Sequence, residues 1–204
     1  MRDSGKNRYF DKHGELKAVE DFSIFDGFSC GHDGLDEFLF KYAEDNQKEL
    51  LFKVYSYSLN AGDEENFIPS EPVAFVTLFN NSQDLEIEDI KDKGLNAPHI
   101  REFKYRFPAV SIGHMGVHID YQRKSIGTNI LNLIKYIFVT NNKTGCRFIN
   151  LQSINSPGVM EFYRLNDFEP TSLLNTLGVV VPMFCDLLRF KSLCEQSQTI
   201  GRKD

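Results

Sequence analysis

The sequence has no run of about 18 or more apolar residues, the length that crosses a bilayer as a helix. Its first residues carry no apolar segment of the kind that directs secretion. Stretches rich in Gly, Ser or Pro are also missing, and no repeat of about 20 to 50 residues is visible. These absences predict one soluble, cytoplasmic domain over residues 1–204, with no membrane partner.

The cysteines are too few and too far apart for the usual metal and disulfide motifs. None of the four has Cys-x-x-Cys spacing, so neither a zinc site nor a disulfide framework is predicted. We therefore expect no bound metal and a reducing compartment. The four residues are Cys30, Cys146, Cys185 and Cys194.

Apolar residues and charges are both unevenly placed along the chain. With 41% hydrophobic residues and 18 Phe, the chain can bury one sizeable core. Residues 1–100 hold 10 Lys and Arg against 21 Asp and Glu, a balance of −11, whereas residues 101–164 hold 9 against 3, or +6. The basic block is either a solvated face or a binding surface for phosphates.

Hydrophobic spacing predicts a mixture of strands and helices. A strand-helix-strand unit stands at the centre, so we expect a mixed sheet with helices on its faces. The predicted elements are a helix over 35–49, antiparallel strands over 54–59 and 73–79, a loop over 81–108 with at most a short helix near 85–90, a strand over 109–119, a helix over 126–138, a strand over 147–151, a helix over 156–165 and a strand over 179–190.

The junction over residues 117–128 predicts an anion site. An apolar strand stops there, a basic turn follows, and an amphipathic helix begins near Ile126. Such a junction presents unpaired backbone N–H groups and the positive end of a helix dipole. It lacks the glycine patterns of the Walker loop and of dinucleotide folds. What remains is Gln122 and Gly127 in helix-opening spacing, with Arg123 and Lys124 between them.

Two motifs resemble the GNAT superfamily of acyl-CoA-dependent N-acetyltransferases. The family motif Gln/Arg-x-x-Gly-x-Gly/Ala stands here as Gln122-Arg123-Lys124-Ser125-Ile126-Gly127, with serine in place of the first glycine. The family signature Phe-Tyr-x-x-x-Gly-Phe stands as Phe162-Tyr163-Arg164-Leu165-Asn166-Asp167-Phe168, with aspartate in place of the glycine. At lower specificity, segments 28–39 and 105–109 are similar to a GNAT branch of bacterial toxins that acetylate aminoacyl-tRNA.

The resemblance implies a mixed, mostly antiparallel α/β fold of the GNAT type, with its core over about 16–190. It implies acetyl-CoA as co-substrate, with the diphosphate on backbone amides of the turn and the pantetheine against the strand edge. The residues implied in this binding are Met115, Val117, Gln122, Arg123, Lys124, Ser125, Ile126, Gly127, Thr128, Asn155 and Phe162. Arg123 and Lys124 could instead be merely solvated, and Asn155 could be a turn residue.

The matching tyrosine of the family is often a general acid, which the resemblance transfers to Tyr163. The alternative is that Tyr163 only packs against Phe162. For a base, His114 and His118 share one face of the predicted strand, and the pKa of histidine suits proton transfer near neutrality. Because residues four apart on a strand are about 13 Å apart, at most one of them reaches the amine. Structural histidines and bulk water are the alternatives.

The leading function is acetyl transfer to a primary amine of a small molecule, a protein or an aminoacyl-tRNA. The acidic first half disfavours a large polyanion, whereas the toxin-like segment favours tRNA and an antitoxin partner. Because two motif glycines are replaced, the alternative is an acyl-CoA-binding or partner-binding module with little catalysis. A homodimer is a further option, with Phe107, Val110 and the final strand at either a dimer edge or the core.

Overall fold

The computed structural model describes residues 2–3, 8–10, 13–62, 66–142, 144–171 and 178–191. The chain forms two compact units, one made of residues 1–79 and 112–134 and the other of residues 80–111 and 135–204. The acidic residues 63–65 and Cys194 lie outside the described residues. No helix among the described residues is both long and apolar enough to cross a membrane.

The first unit is built on an antiparallel run of strands with two helices in one connection. Its strand order is β1-β2-β3-β4-β5-β6, of which β5 and β6 continue into the second unit. Its elements are β1 (Arg2–Asp3), β2 (Arg8–Phe10), β3 (Gly14–Ala18), α1 (Asp33–Lys41), α2 (Ala43–Lys48), β4 (Lys53–Asn60), most of β5 (Pro69–Asp84), the end of β6 (Arg106–Val117) and the start of α5 (Ile126–Thr140).

The second unit has the strand order β5-β6-β7-β9-β8, with β9 antiparallel to both β7 and β8. Besides the ends of β5 and α5 and the start of β6, it holds α3 (Ile87–Asp92), α4 (Ala97–Phe103), β7 (Phe148–Ile154), α6 (Pro157–Leu165), β8 (Glu169–Pro170) and β9 (Val180–Asp186). Residues 187–191 are helical.

The strongly periodic segments form the elements that their spacing predicts. β4 and β5 pair as antiparallel neighbours, and α5 begins at Ile126. The apolar stripe that helical spacing predicts for α5 is buried at five of its six positions, with only Phe138 partly exposed; its residues are Ile126, Ile130, Leu133, Ile134, Ile137 and Phe138. α6 has Ser156 at its N-cap and Pro157 in its first turn. The predicted helix over 35–49 is divided, since α1 ends at Lys41 and α2 begins at Ala43.

The predictions were wrong where the local pattern is weak. β3 was missed because four of its five residues are buried without alternation, Glu15 among them. The segment 81–108 is not mainly loop: β5 runs to Asp84, and α4 begins with a proline in its first turn. The final strand ends at Asp186 rather than 190, because the Asp186 carboxylate accepts the Leu188 N–H at 3.0 Å and caps the helical turn.

Edge-to-face aromatic rings form the centre of the first unit's core. The ring centroids of Phe25, Phe28 and Phe75 are 5.7 to 6.2 Å apart in pairs, at interplanar angles of 73 to 75°. This geometry places the positive edge of one ring against the negative face of the next. Phe75 lies on β5, so the loop before α1 is packed directly onto the sheet of this unit.

The second unit has its own core, which includes two residues that the sequence left open. Phe107 packs against Phe148, with ring centroids 6.2 Å apart, and Phe148 packs against Phe184. Phe107 and Val110 are each 3% exposed. They are therefore core residues, and the alternative of a dimer edge at these two positions is wrong.

A side chain completes the hydrogen bonding at the end of the β3–β4 ladder. The Gln47 amide Nε2 donates to the Val19 carbonyl oxygen at 2.8 Å, and its Oε1 accepts the Val54 N–H at 2.7 Å. Val19 and Val54 are 1% and 0% exposed. Both backbone groups would lose their partner without Gln47, and water could not easily replace it.

We expect Gln47→Ala to lower the free energy of unfolding by about 1–2 kcal/mol, the cost of leaving two buried backbone groups unpaired. Urea denaturation followed by circular dichroism measures this loss. Lys48→Ala is the matched control on α2, because its ion pair with Glu44 is exposed and contributes about 0.5 kcal/mol or less. Equal effects of the two substitutions would contradict the bridging role of Gln47.

Candidate functional site

The turn after β6 is anchored by the side chain of Gln122. A 3-10 helix, Ile119–Tyr121, connects β6 to this residue. The Gln122 amide Nε2 donates to the carbonyl oxygens of Cys30 at 2.8 Å and of Val117 at 3.1 Å. Because its donor group is used within the protein, Gln122 supports the turn, and any cofactor contact at this position falls to the backbone.

Two residues of the turn adopt the left-handed backbone conformation. Arg123 has φ 58° and Ser125 has φ 60°, and α5 begins at the next residue, Ile126. Alternation of left-handed and right-handed residues turns successive N–H groups toward one point, which forms an anion-binding nest. Ser125 stands where the GNAT motif has glycine, and it adopts the conformation that glycine favours.

The N–H groups at the start of α5 have no acceptor within the described ranges. The N–H groups of residues 126–128 precede the first intrahelical bond, which the Asn129 N–H makes to the Ser125 carbonyl oxygen at 3.0 Å. No described residue accepts a hydrogen bond from the Ser125 N–H either. The 15-residue helix adds the positive end of its dipole. These four N–H groups can bind a diphosphate.

Basic side chains beside the turn add positive charge. Arg123 and Lys124 are both exposed, and the Lys124 ammonium lies 5.2 Å from the centroid of the Tyr121 ring. A cation over an aromatic face is attracted by the ring quadrupole, which limits the positions that the lysine adopts. The turn therefore combines fixed backbone donors with two adjustable charges.

Within the first unit, the end of β6 pairs with β5. The His118 N–H donates to the Val73 carbonyl oxygen of β5 at 2.8 Å, and β6 is the last strand in the order of this unit. Met115 and Val117 are half-buried on this segment. An extended ligand such as a pantetheine chain binds a strand through backbone N–H and C=O groups, and these two residues are the ones that the resemblance assigns to it.

His114 is held in an apolar environment by stacking. Its ring lies parallel to Phe38 of α1, with centroids 3.6 Å apart and an interplanar angle of 11°. Its backbone N–H donates to the Thr77 hydroxyl at 2.8 Å. The Nδ1 atom is buried without a hydrogen-bond partner in the described part of the chain. Burial lowers the pKa of His114, so the ring is neutral at pH 7.

His118 has a capping role that the sequence did not indicate. β6 ends at Val117, so His118 lies one residue beyond the strand that was predicted to hold it. Its Nδ1 accepts the Asp120 N–H at 3.2 Å, and its ring contacts Phe28 and Tyr121 edge-on. With Nδ1 used in this way, His118 is less suited than His114 to accept a proton.

The toxin-like segment at 28–39 includes a loop that is bonded to the turn. The Asp36 carboxylate accepts the Ser29 hydroxyl at 2.7 Å and the Cys30 N–H at 2.9 Å, while the Ile119 N–H donates to the Ser29 carbonyl oxygen at 2.9 Å. Burial opposes the charge of Asp36, but these hydrogen bonds outweigh it and lower its pKa. Burial chiefly, assisted by Asp36, raises the pKa of the Cys30 thiol to about 11, so it is no nucleophile at neutral pH.

Tyr163 lies on α6 in the second unit, in an aromatic environment. Its ring contacts Phe162 at 5.0 Å and Phe168 at 5.7 Å between centroids, both edge-on. Burial raises the pKa of Tyr163 to about 12, so the phenol keeps its proton throughout the neutral range. A protonated phenol of this kind can serve as a proton donor. The ring also packs against Phe162, as the alternative of a purely structural role predicts.

Asn155 precedes α6 and Phe162 lies within it. The Asn155 amide Nδ2 donates to the Gly178 carbonyl oxygen at 2.8 Å, and its backbone N–H donates to the Val179 carbonyl oxygen at 3.0 Å. Asn155 thus has the turn role that was its alternative. Phe162 is half-buried beside Tyr163.

A cavity of about 440 Å³ lies elsewhere in the second unit, between α4, the end of α5 and residues 187–191. Its walls are mostly apolar, and none of the predicted site residues lines it. Among the described residues, no three His, Cys, Asp or Glu side chains come together as metal ligands. The predicted residues divide between the units: residues 114–128 in the first, and Asn155, Phe162 and Tyr163 in the second.

Comparison with known proteins gives matches at the level of structure. No protein-family model matches the sequence, and no curated protein matches it. The structure of AtaTR bound with AcCoA matches with a TM-score of 0.63 at 14% identity, over 90% of this chain and 99% of that chain. AtaT complexed with acetyl-methionyl-tRNAfMet gives 0.63 at 14% over 88% and 98%. The KacTA–DNA complex gives 0.61 at 16% over 90% and 99%.

These likenesses show that the chain has the mixed α/β fold of the GNAT N-acetyltransferases, with a sheet flanked by helices. The resemblance predicted from the two motifs is therefore confirmed for the fold. The matching structures include those of AtaT and KacT and that of a further bacterial toxin, which matches with a TM-score of 0.65 at 14% identity over 88% of this chain and 95% of that chain.

Proposed function

We propose that the protein is an acetyl-CoA-dependent N-acetyltransferase that transfers the acetyl group directly to a primary amine. The observation that carries this proposal is the row of N–H groups from Ser125 to Thr128, which lack acceptors among the described residues. A diphosphate is the natural ligand of such a row at a helix N-terminus. Fold neighbours solved with AcCoA and with acetyl-methionyl-tRNAfMet support the proposal.

The residues of the first unit fit the parts of acetyl-CoA. Backbone N–H groups of residues 123–128 hold the diphosphate, and the side chains of Arg123 and Lys124 add charge beside it. The edge of β6 at Met115 and Val117 binds the pantetheine. The resemblance alone assigns cofactor contacts to Asn155 and Phe162, which belong to the second unit. Bound acetyl-CoA supplies an acyl group already activated as a thioester, so the protein needs no nucleophile of its own.

Two side chains handle the protons of the proposed transfer. His114 accepts a proton from the ammonium group of the acceptor. It can do so because burial lowers its pKa and keeps its ring neutral. The freed amine forms the new N–C bond while the C–S bond breaks. Tyr163 gives its proton to the departing sulfur, a proton that its raised pKa keeps available, and the phenolate regains one, through water, from the nitrogen of the new amide. His118 and bulk water are the competing bases.

We expect His114→Gln to lower kcat about tenfold at pH 7, a modest loss because water can take over part of the proton transfer. The wild-type rate should fall only below pH 6.5, since burial lowers the pKa of His114 and the base is lost as pH falls through that value. Turnover measured from pH 5 to 9 reports both effects. If His118→Gln changes the acid limb and His114→Gln does not, the base is His118.

Among amine acceptors, an aminoacyl-tRNA is the leading candidate, ahead of a small amine, a peptide N-terminus or a lysine. The tRNA complex of a neighbour with this fold supports it. The first 100 residues, at −11, oppose a tRNA, so contact would fall on the basic block at residues 101–164. Bacterial origin, a cytoplasmic site, an antitoxin partner and a homodimer are parts of this proposal. A neighbour bound to the antitoxin AtaR supports the partner.

Calorimetry with CoA and a thiol-release assay with acetyl-CoA test the proposal together. The assay uses polyamines, a peptide with a free N-terminus and aminoacyl-tRNA, and intact mass spectrometry of each acceptor detects the added acetyl group. We expect heat on CoA titration, and thiol release that depends on an acceptor.

The outcomes separate the enzyme from a binding module. Binding of CoA without thiol release for any acceptor would favour the acyl-CoA-binding module over the enzyme. A lack of heat with both CoA and acetyl-CoA would contradict the diphosphate site itself. Acetylation of a peptide or polyamine but not of aminoacyl-tRNA would keep the enzyme and change its acceptor.

A further inference from the structure

Helix α6 ends in a Schellman motif in which Tyr163 has a central place. The Phe168 N–H donates to the Tyr163 carbonyl oxygen at 3.0 Å, and the Asp167 N–H donates to the Arg164 carbonyl oxygen at 3.1 Å. The hydrophobic contact typical of this motif is the edge-on pair of Tyr163 and Phe168. The geometry of this helix end therefore sets where the backbone and ring of Tyr163 lie.

The position of the motif that must be left-handed is occupied by Asp167, with φ 66°. Glycine is the usual residue there, and an L-residue with a Cβ is strained by about 1–2 kcal/mol. The Asp167 carboxylate accepts a hydrogen bond from the Lys135 ammonium at 2.6 Å. Aspartate at this position thus gains an ionic partner that glycine would lack.

Lys135 is fully enclosed at this helix end. Its side chain is 1% exposed, and its ammonium donates to the Asn166 carbonyl oxygen at 2.7 Å as well as to Asp167. The ammonium also lies 5.9 Å from the Phe168 ring centroid and 5.7 Å from that of Phe190. A buried cation at the last carbonyl groups of α6 interacts favourably with the negative end of the helix dipole.

We propose that Lys135 and Asp167 are positioning residues for Tyr163: their ion pair holds the left-handed end of α6 and so fixes the phenol for proton transfer. This role rests on the proposed function, in which Tyr163 is the proton donor. It also explains how the chain keeps the helix end without the glycine of the family motif. Neither residue contacts the reacting atoms in this proposal.

The test compares substitutions at the exposed Asp167, whose side chain is 69% exposed and whose change should not prevent folding. Asp167→Ala removes the carboxylate and keeps the strain, whereas Asp167→Gly removes both. We expect Asp167→Ala to lower kcat about tenfold with an unchanged KM for acetyl-CoA, since a misplaced acid affects only the chemical step. Asp167→Gly should stay within about twofold of wild type.

Lys135→Met and the double variant Lys135→Met with Asp167→Gly complete the series, with the exposed Lys91→Met as control. We expect Lys135→Met to lower kcat more than Asp167→Ala does, and the added glycine to restore part of the loss. Nuclear magnetic resonance of ¹³C-labelled tyrosine, with the Tyr163 signal assigned by Tyr163→Phe, follows the ring itself. The signal should move in Lys135→Met and Asp167→Ala and remain in Asp167→Gly.

The ring signal separates this proposal from the proposed function. If wild type transfers no acetyl group yet the ring signal follows the expected series, the positioning stands and the function fails. Unchanged ring signals and kcat in Asp167→Ala, or equal kcat losses in Asp167→Ala and Asp167→Gly, would overturn the positioning role. A fall in thermal stability alone, with kcat and ring signal preserved, would also overturn it.

Discussion

Tyr163→Phe is expected to lower kcat for acetyl transfer by about 10²- to 10⁴-fold, the range lost when a general acid is removed. Phenylalanine keeps the ring that contacts Phe162 and Phe168, so the packing of α6 should be preserved. Only the hydroxyl and its proton are lost. Affinity for CoA should therefore stay within about twofold, while the departing sulfur has to leave without a proton donor.

Steady-state kinetics of Tyr163→Phe, with calorimetry against CoA and a thermal melt, measures the loss and its origin. Tyr105→Phe is the matched control, because Tyr105 is 44% exposed and takes no part in the proposed chemistry. Unchanged turnover in Tyr163→Phe would leave Tyr163 with the packing role alone. A loss confined to affinity, with kcat preserved, would place the tyrosine in binding rather than proton transfer.

The pH dependence of the wild-type protein tests the protonation state of Tyr163 independently. The pKa of Tyr163 is about 12 in the folded protein, against about 10 in an unfolded chain. Its folded-state pKa is raised, so its contribution to stability is present below pH 10 and is lost as pH rises toward 12. Tyr163 should therefore impose no loss of turnover on the basic side below pH 10.

The fold could be predicted where burial imposes a regular period. The stripe of α5 from Ile126 to Ile137 and the pair β4 and β5 each bury one face or a continuous run, and both were predicted. β1 and β2 are two and three residues long, too short to show a period. α4 lies in the segment predicted as a loop, where Pro98 is in the first turn of the helix, a position at which proline is common.

Less of the candidate site than of the fold could be predicted from the sequence. The basic turn and the start of α5 follow from local sequence, because backbone N–H groups at a helix start need no distant partner. The direction of the Gln122 amide toward Cys30, 92 residues away in sequence, depends on tertiary contacts. The same is true of Lys135. Helical spacing places Lys135 on the face away from the apolar stripe of α5, so the local sequence gives no signal for its burial or for its ion pair.

Ser125→Asp is expected to weaken CoA binding about 100-fold while making the free protein slightly more stable. A carboxylate at the start of α5 interacts favourably with the helix dipole, which adds about 0.3–1 kcal/mol to the free energy of unfolding. Aspartate also tolerates the left-handed conformation that Ser125 adopts, with φ 60°. In the complex, the same charge faces a diphosphate, and like charges about 5 Å apart repel by about 3 kcal/mol near a surface.

Ser125→Asp should raise stability and lower CoA affinity, a combination that a general loss of structure would not produce. Ser125→Asn is the matched control, since asparagine is nearly isosteric with aspartate, tolerates the same backbone and carries no charge. Thermal melts without ligand should show Ser125→Asp about 1–3 °C above wild type. Calorimetry should show CoA affinity lost in Ser125→Asp and kept within about threefold in Ser125→Asn. Equal affinities in all three proteins would mean that the N–H groups at the start of α5 do not bind the diphosphate. A lower melting temperature for Ser125→Asp would mean that the dipole and nest geometry at Ser125 are not as described.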